Sequence, residues 1–195
     1  MAILIIGVLM FIGTHSLRSF APGARTSMIA KLGVQGWRAV YSLVSIVSIA
    51  VIVYGYSQAP TVNLWFPPVW TAHIALTLML FAMVCLVAAV LPAGHIATKT
   101  KHPMVLSIKI WATAHLLANG DLASVILFGA FLAWGVFMRI TLKRRQRAGE
   151  ITLRPFVSTR YDLLALVLGV VVWLAFILKL HELLFNVAPL PAMSL

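Results

Sequence analysis

Residues 104–142 read MVLSIKIWATAHLLANGDLASVILFGAFLAWGVFMRITL, and the way this stretch divides decides the fold. As one continuous helix it would put basic ends on opposite sides of a bilayer. Cut at Asn119, Gly120 and Asp121 it becomes a hairpin with both basic ends together. Asn-Gly-Asp is a strong turn signal, and Asp121 stands where the next helix needs a side-chain acceptor for its first amides. The hairpin has unequal arms. Met104 to Ala118 is apolar but short, and Leu122 to Leu142 is a full-length span. At about 1.5 Å per residue the first arm reaches only about 22 Å, less than a hydrocarbon core of roughly 30 Å. The turn is therefore expected below the outer surface, buried among neighbouring helices where Asn119 and Asp121 find partners.

The rest of the chain agrees with a lipid solvent. Of its 195 residues 62% are hydrophobic and 10% charged, and the mean hydropathy is +1.03. A soluble domain has about 25% charged residues, and so few polar groups cannot cover this much apolar surface in water. Further spans are expected at Ala2–Ser16, Trp37–Tyr56, Val69–Leu91 and Tyr161–Phe185. Basic residues follow the first run rather than precede it, the reverse of a cleavable signal peptide. The fold class is an all-α polytopic membrane helix bundle of about six transmembrane segments, one of them short, in a single domain over residues 1–195.

Every Lys and Arg except Lys179 falls in alternate connections. Arg18, Arg25, Lys31 and Arg38 flank the first. Lys99, Lys101 and Lys109 mark the third, and the run from Arg139 to Arg160 marks the fifth. This asymmetry puts both termini on the side opposite the basic connections of a multi-pass membrane protein; in a bacterium the basic side would be the cytoplasm and the termini periplasmic, across the inner membrane. The net charge of +11 is then a match for anionic lipid rather than for nucleic acid.

Most catalytic chemistries lack their residues. The single cysteine, Cys85, lies inside an apolar run and reads as packing; thiolate zinc, iron–sulfur and covalent c-type haem sites are unsupported. The four carboxylates are too sparse for acid–base pairs, and Asp121 and Asp162 both read as caps of the spans they precede. No nucleophile elbow, phosphate loop or His-x-x-x-His pair occurs. What remains is histidine inside spans, where ionisable residues are functional candidates. Ile108, Trp111, His115 and Asn119 share one helical face. His15 has Arg18 one turn nearer the basic side. An imidazole for iron and a guanidinium for a propionate suit a b-type haem held between helices. The same histidines also read as hydrogen-bonding residues between helices, and Arg18 as a headgroup anchor.

Four segments, Gly13-Thr-His-Ser-Leu-Arg18, Arg38-Ala-Val-Tyr-Ser42, Lys101-His-Pro-Met104 and Trp111-Ala-Thr-Ala-His-Leu-Leu-Ala-Asn-Gly-Asp121, resemble the NnrU family, and Leu127–Trp134 continues the likeness. The resemblance implies a bacterial inner-membrane protein associated with denitrification, in nitrite or nitric oxide metabolism or its sensing. The family is similar to plant 15-cis-zeta-carotene isomerase, a membrane enzyme with b-type haem. By that likeness His15 and His115 are the metal ligands of haem b, with Arg18 and Arg38 as propionate partners. Ala112 stands where the isomerase has cysteine, so a thiol ligand or redox switch there is unavailable. Two other functions follow: a haem-dependent cis/trans isomerase of a carotenoid-like polyene, and a cofactor-free assembly factor for a membrane reductase.

Overall fold

The Asn119–Asp121 turn is the hinge of the molecule. In the structure, a computed structural model describing residues 1–190, Asp121 caps the following helix as expected. Its carboxylate accepts the Ser124 amide at 2.9 Å and the Ser124 hydroxyl. The turn is not left to solvent. The Leu64 amide donates to the Gly120 carbonyl at 2.8 Å, and the Leu122 amide to the Val62 carbonyl at 2.9 Å. The turn's backbone polar groups thus find partners in the uncharged loop after the second span.

The elements run α1 (Ala2–Phe20), α2 (Pro22–Ser57), α3 (Val69–Val90), α4 (His95–Thr100), α5 (Pro103–Ala118), α6 (Leu122–Arg147), α7 (Arg160–Ala175), a π-helical stretch (Phe176–Leu180) and α8 (His181–Phe185). Five helical stretches are long and apolar enough to cross a membrane, and α5 is a shorter apolar sixth. Among the described residues the only strand-like pairing is the bridge between Asn63 and Asp121. The chain is an all-helical membrane bundle. Large apolar side chains such as Leu9, Ile46, Leu163 and Leu178 stand exposed on its outer faces, as lipid contact requires.

α5 and α6 join two groups of helices. α1 packs along α2 and against α6, while α3 packs on α5 and α7. The α1–α2 contact depends on Gly7 and Gly55. A Cβ at Gly55 would strike the Leu4 backbone, and one at Gly7 would lie 2.8 Å from the Ile52 nitrogen. Small residues let helix backbones approach closely in lipid, where packing rather than water exclusion holds helices together. Polar side chains tie helices within each group. Ser107 Oγ donates to the Ala82 carbonyl at 2.8 Å, Trp173 Nε1 to the Leu76 carbonyl at 2.9 Å, and Trp134 Nε1 to Ser16 Oγ at 2.9 Å. Cys85 is buried in α3, in the packing role its sequence context indicates.

The basic connections carry more structure than expected. The first contains no open loop. Pro22 opens a helix that runs to Leu32, and Gly33, at φ 69° and ψ 170°, turns it into the second span. Asp162 does not cap its own helix. α7 already begins at Arg160, and the Asp162 carboxylate instead accepts the His95 and Ile96 amides at 2.7 and 2.8 Å, capping α4. The first amides of α4 have no intrahelical partner, and this carboxylate supplies one from 66 residues away. Arg154 performs the opposite service for α3. Its guanidinium donates to the carbonyls of Ala88, Ala89 and Leu91 at 2.9–3.2 Å, a cation at a helix C-terminus.

Candidate functional site

Both candidate ligands are set by the same local device. The ring of His115 turns back along α5 and its Nδ1–H donates to the Trp111 carbonyl at 2.9 Å. That of His15 turns back along α1 and donates to the Phe11 carbonyl at 2.8 Å. In each case one ring nitrogen is committed to backbone, which fixes the ring and reserves Nε2 for another partner. Metal-bound histidines are held in this way.

His115 stacks on Phe128 of α6 with centroids 4.4 Å apart and lies 5.3 Å from Trp111. Asn119 Nδ2 donates to the His115 carbonyl at 2.8 Å. The face of Ile108, Trp111, His115 and Asn119 read from spacing is thus turned inward. His15 stacks on Phe11 at 3.9 Å, with Tyr41 of α2 at 5.2 Å and Trp134 of α6 at 6.1 Å.

A row of rings joins the two histidines. Phe11, beside His15, lies 5.1 Å from Phe131, and Phe131 lies 5.4 Å from Trp111, beside His115. The imidazoles contact α6 six residues apart, at Phe128 and Trp134, a rise of about 9 Å. They therefore sit at different depths, with Phe131 and Trp111 in the space between them. The donor chemistry fits a b-type haem: two anchored imidazoles, an aromatic apolar layer and a guanidinium at one end. Among the described residues no cluster of three or more His, Cys, Asp or Glu side chains stands ready to hold a metal ion. The space a haem would need between the imidazoles is taken by Phe131 and Trp111.

Next to His15 a cavity of about 320 Å³ opens between α1, α2 and α6. Arg18, Arg25, Trp37, Tyr41 and Arg145 line it with His15. His115 does not reach it. Arg18 is where the sequence puts it. Arg18 and Arg38 are both exposed, but only Arg18 lines the cavity; Arg25 and Arg145 stand there in addition. Arg25 could have been found only by recognising the Pro22–Leu32 helix, which folds it back over the end of α1.

The remaining histidines separate. His181 lies 6.3 Å from His115 and donates Nδ1–H to the Val187 carbonyl at 2.8 Å, while its neighbour Glu182 pairs with Lys179 at 2.9 Å. His73 is exposed on α3. His102, outside the spans, buries Nε2 without a hydrogen-bond partner. Its own burial, then Arg139 and Lys101, hold its pKa below the ordinary imidazole value. Ala112 is fully buried in the core formed with Leu4, Val8, Phe128 and Phe131.

Residues 3–189 match the family described as NnrU protein. The chain belongs to the NnrU family. Comparison with curated proteins and with solved structures gives no match to either. The NnrU match spans every helix from α1 to α8, so both anchored histidines, the ring row and the basic cavity all lie within the family domain. Membership is consistent with a denitrification-associated membrane protein.

Proposed function

We propose that this NnrU protein binds haem b through His15 and His115 and acts in nitrite or nitric oxide metabolism or its sensing. The observation that carries the reading is the shared anchoring of the two imidazoles, each with Nδ1 on the carbonyl of an aromatic residue four positions earlier. When bound, haem supplies an iron that takes a diatomic ligand or passes one electron. The chain's own residues do the rest. The Phe11 and Trp111 carbonyls keep each imidazole in the tautomer that presents Nε2. Phe11, Phe128 and Trp134 exclude water from the rings. Arg18, one turn beyond His15, would offset the anionic edge of the ligand at the basic face. That face lies toward anionic lipid on the cytoplasmic side of the inner membrane, with both termini periplasmic.

The test is an optical spectrum of protein purified from haem-replete cells, alongside His15→Ala and His115→Ala. Wild type is expected to show a Soret band that either substitution removes or shifts. Full haem content with an unchanged band in both variants overturns the assignment. A wild type without haem after reconstitution overturns the haem reading as a whole.

A further inference from the structure

The cavity beside His15 gathers positive charge from three separate elements. Arg18 of α1, Arg25 of the helix that Pro22 opens and Arg145 of α6 line about 320 Å³, and among the described residues no carboxylate does. Like charges brought together beside a low-dielectric wall repel one another unless an anion joins them. The chain's own carboxylates answer little of this charge. Glu150 pairs with Arg145 through Nε at 2.9 Å, which leaves the terminal nitrogens of that guanidinium for another acceptor. Among the described residues Arg18 and Arg25 pair with no carboxylate. Trp37 and Tyr41 share the lining and carry further donors. Phosphate suits such a lining, because its oxygens accept charge-assisted hydrogen bonds from more than one guanidinium at once.

The cavity's position decides the source of that phosphate. It lies where α1 runs out of its span into the basic connection, and an indole such as Trp37 anchors at the level of lipid headgroups. Leu17, Met138 and Leu142 form an apolar wall, and α2 leaves Leu43 and Ile46 exposed within two turns of Tyr41. A phospholipid uses both halves, its headgroup against the guanidiniums and its chains along the apolar faces; a free phosphate ion uses only the first. We propose that Arg25 and Arg145 bind the phosphate of an anionic phospholipid in this cavity, with Arg18 as the third positive charge. The inference goes beyond the haem reading and does not rest on it. A phosphate held by both residues joins the Pro22–Leu32 helix to the end of α6. Arg38, exposed outside the cavity, takes no part.

The experiment titrates delipidated full-length protein in detergent with phosphatidylglycerol or phosphatidylcholine of matched chains and counts bound lipid by native mass spectrometry. Wild type is expected to bind one phosphatidylglycerol in preference to phosphatidylcholine by roughly tenfold or more, the effect of a charge-assisted hydrogen bond. Arg25→Gln and Arg145→Gln lose most of that preference while binding phosphatidylcholine as wild type does, which shows that they fold. Glu150→Gln, which frees Arg145, tightens phosphatidylglycerol binding about two- to threefold, the scale of an exposed ion pair. Arg38→Gln keeps the full preference. Glycerophosphoglycerol, the same headgroup without chains, does not displace the lipid. Equal binding of the two lipids by wild type overturns the inference, as does an undiminished preference in Arg25→Gln or an equal loss in Arg38→Gln, which marks a diffuse charge effect. Displacement by glycerophosphoglycerol at the lipid's own concentration overturns the lipid source. The readout contains no haem, so a protein without a Soret band sinks the haem reading and leaves this test intact.

Discussion

Replacing Phe131 with alanine separates the stability of the haem-free protein from its affinity for haem. Phe131 is 8% exposed, and its ring lies 5.1 Å from Phe11, 5.4 Å from Trp111 and 6.3 Å from Trp134. Each aromatic pair is worth about 0.5–1.5 kcal/mol, and core Phe→Ala changes cost about 3–5 kcal/mol. In lipid the water-exclusion part of that cost is small, so about 3 kcal/mol is expected. The same ring stands between His15 and His115, where a macrocycle bridging them must lie. On the proposed reading a bound haem would have to displace it, and the variant has already lost that packing. Haem affinity should therefore rise by up to about a hundredfold, the equivalent of about 3 kcal/mol at 1.4 kcal/mol per decade. Stability is read by SDS titration in mixed micelles and affinity by Soret titration. Phe128→Ala is the contrast, because Phe128 backs the His115 ring at 4.4 Å. It should lower stability and weaken haem binding together. A destabilised Phe131→Ala whose haem affinity is unchanged or weaker would refute the idea that the ring row marks the haem space.

Asp162→Ala strips two amides of α4 of their acceptor and should cost about 1–2 kcal/mol in the same unfolding assay. Asp162→Asn keeps one acceptor oxygen and should cost less; equal losses would argue against the cap. His102 binds a proton less readily in the folded protein than in the unfolded one. Stability is therefore unaffected above the ordinary imidazole pKa and falls as pH drops below it toward the depressed folded value. His102→Asn should flatten that acid slope in unfolding midpoints taken from about pH 7.5 to 5; a slope as steep as wild type in the variant excludes His102 as its source. Cys85 is buried in α3, away from both anchored histidines. Alkylating it in detergent should leave a Soret band unchanged, and a shifted band would place the thiol near iron.

The hairpin was readable because its signals are local. Asn119, Gly120 and Asp121 announce a turn, and Asp121 meets the Ser124 amide three residues on. Charge alternation then ordered the spans without any knowledge of packing. Contacts made across the chain were not readable. Asp162 looks like the cap of whichever helix follows it, and only folding shows that α4 lies against it. The Pro22–Leu32 helix is too short and too polar to announce a span. A single glycine such as Gly33 does not reveal in advance that it will adopt a positive φ.

Arg38 shows what helical spacing leaves open. Arg38 and Tyr41 are three residues apart and so lie near one face. Trp37 and Tyr41, four apart, lie nearer still, with ring centroids 5.9 Å apart, and α2 turns those two toward the cavity and leaves Arg38 in the open. A wheel shows which residues travel together but not which of them faces inward. The histidines escape this ambiguity because their sequence context carries a second constraint. Phe11 precedes His15, and Trp111 precedes His115, by four positions. On a helix that spacing puts an aromatic ring beside the imidazole and a carbonyl within reach of Nδ1. In both cases the aromatic residue four positions earlier packs beside the imidazole and its carbonyl holds Nδ1, whichever partner Nε2 then takes.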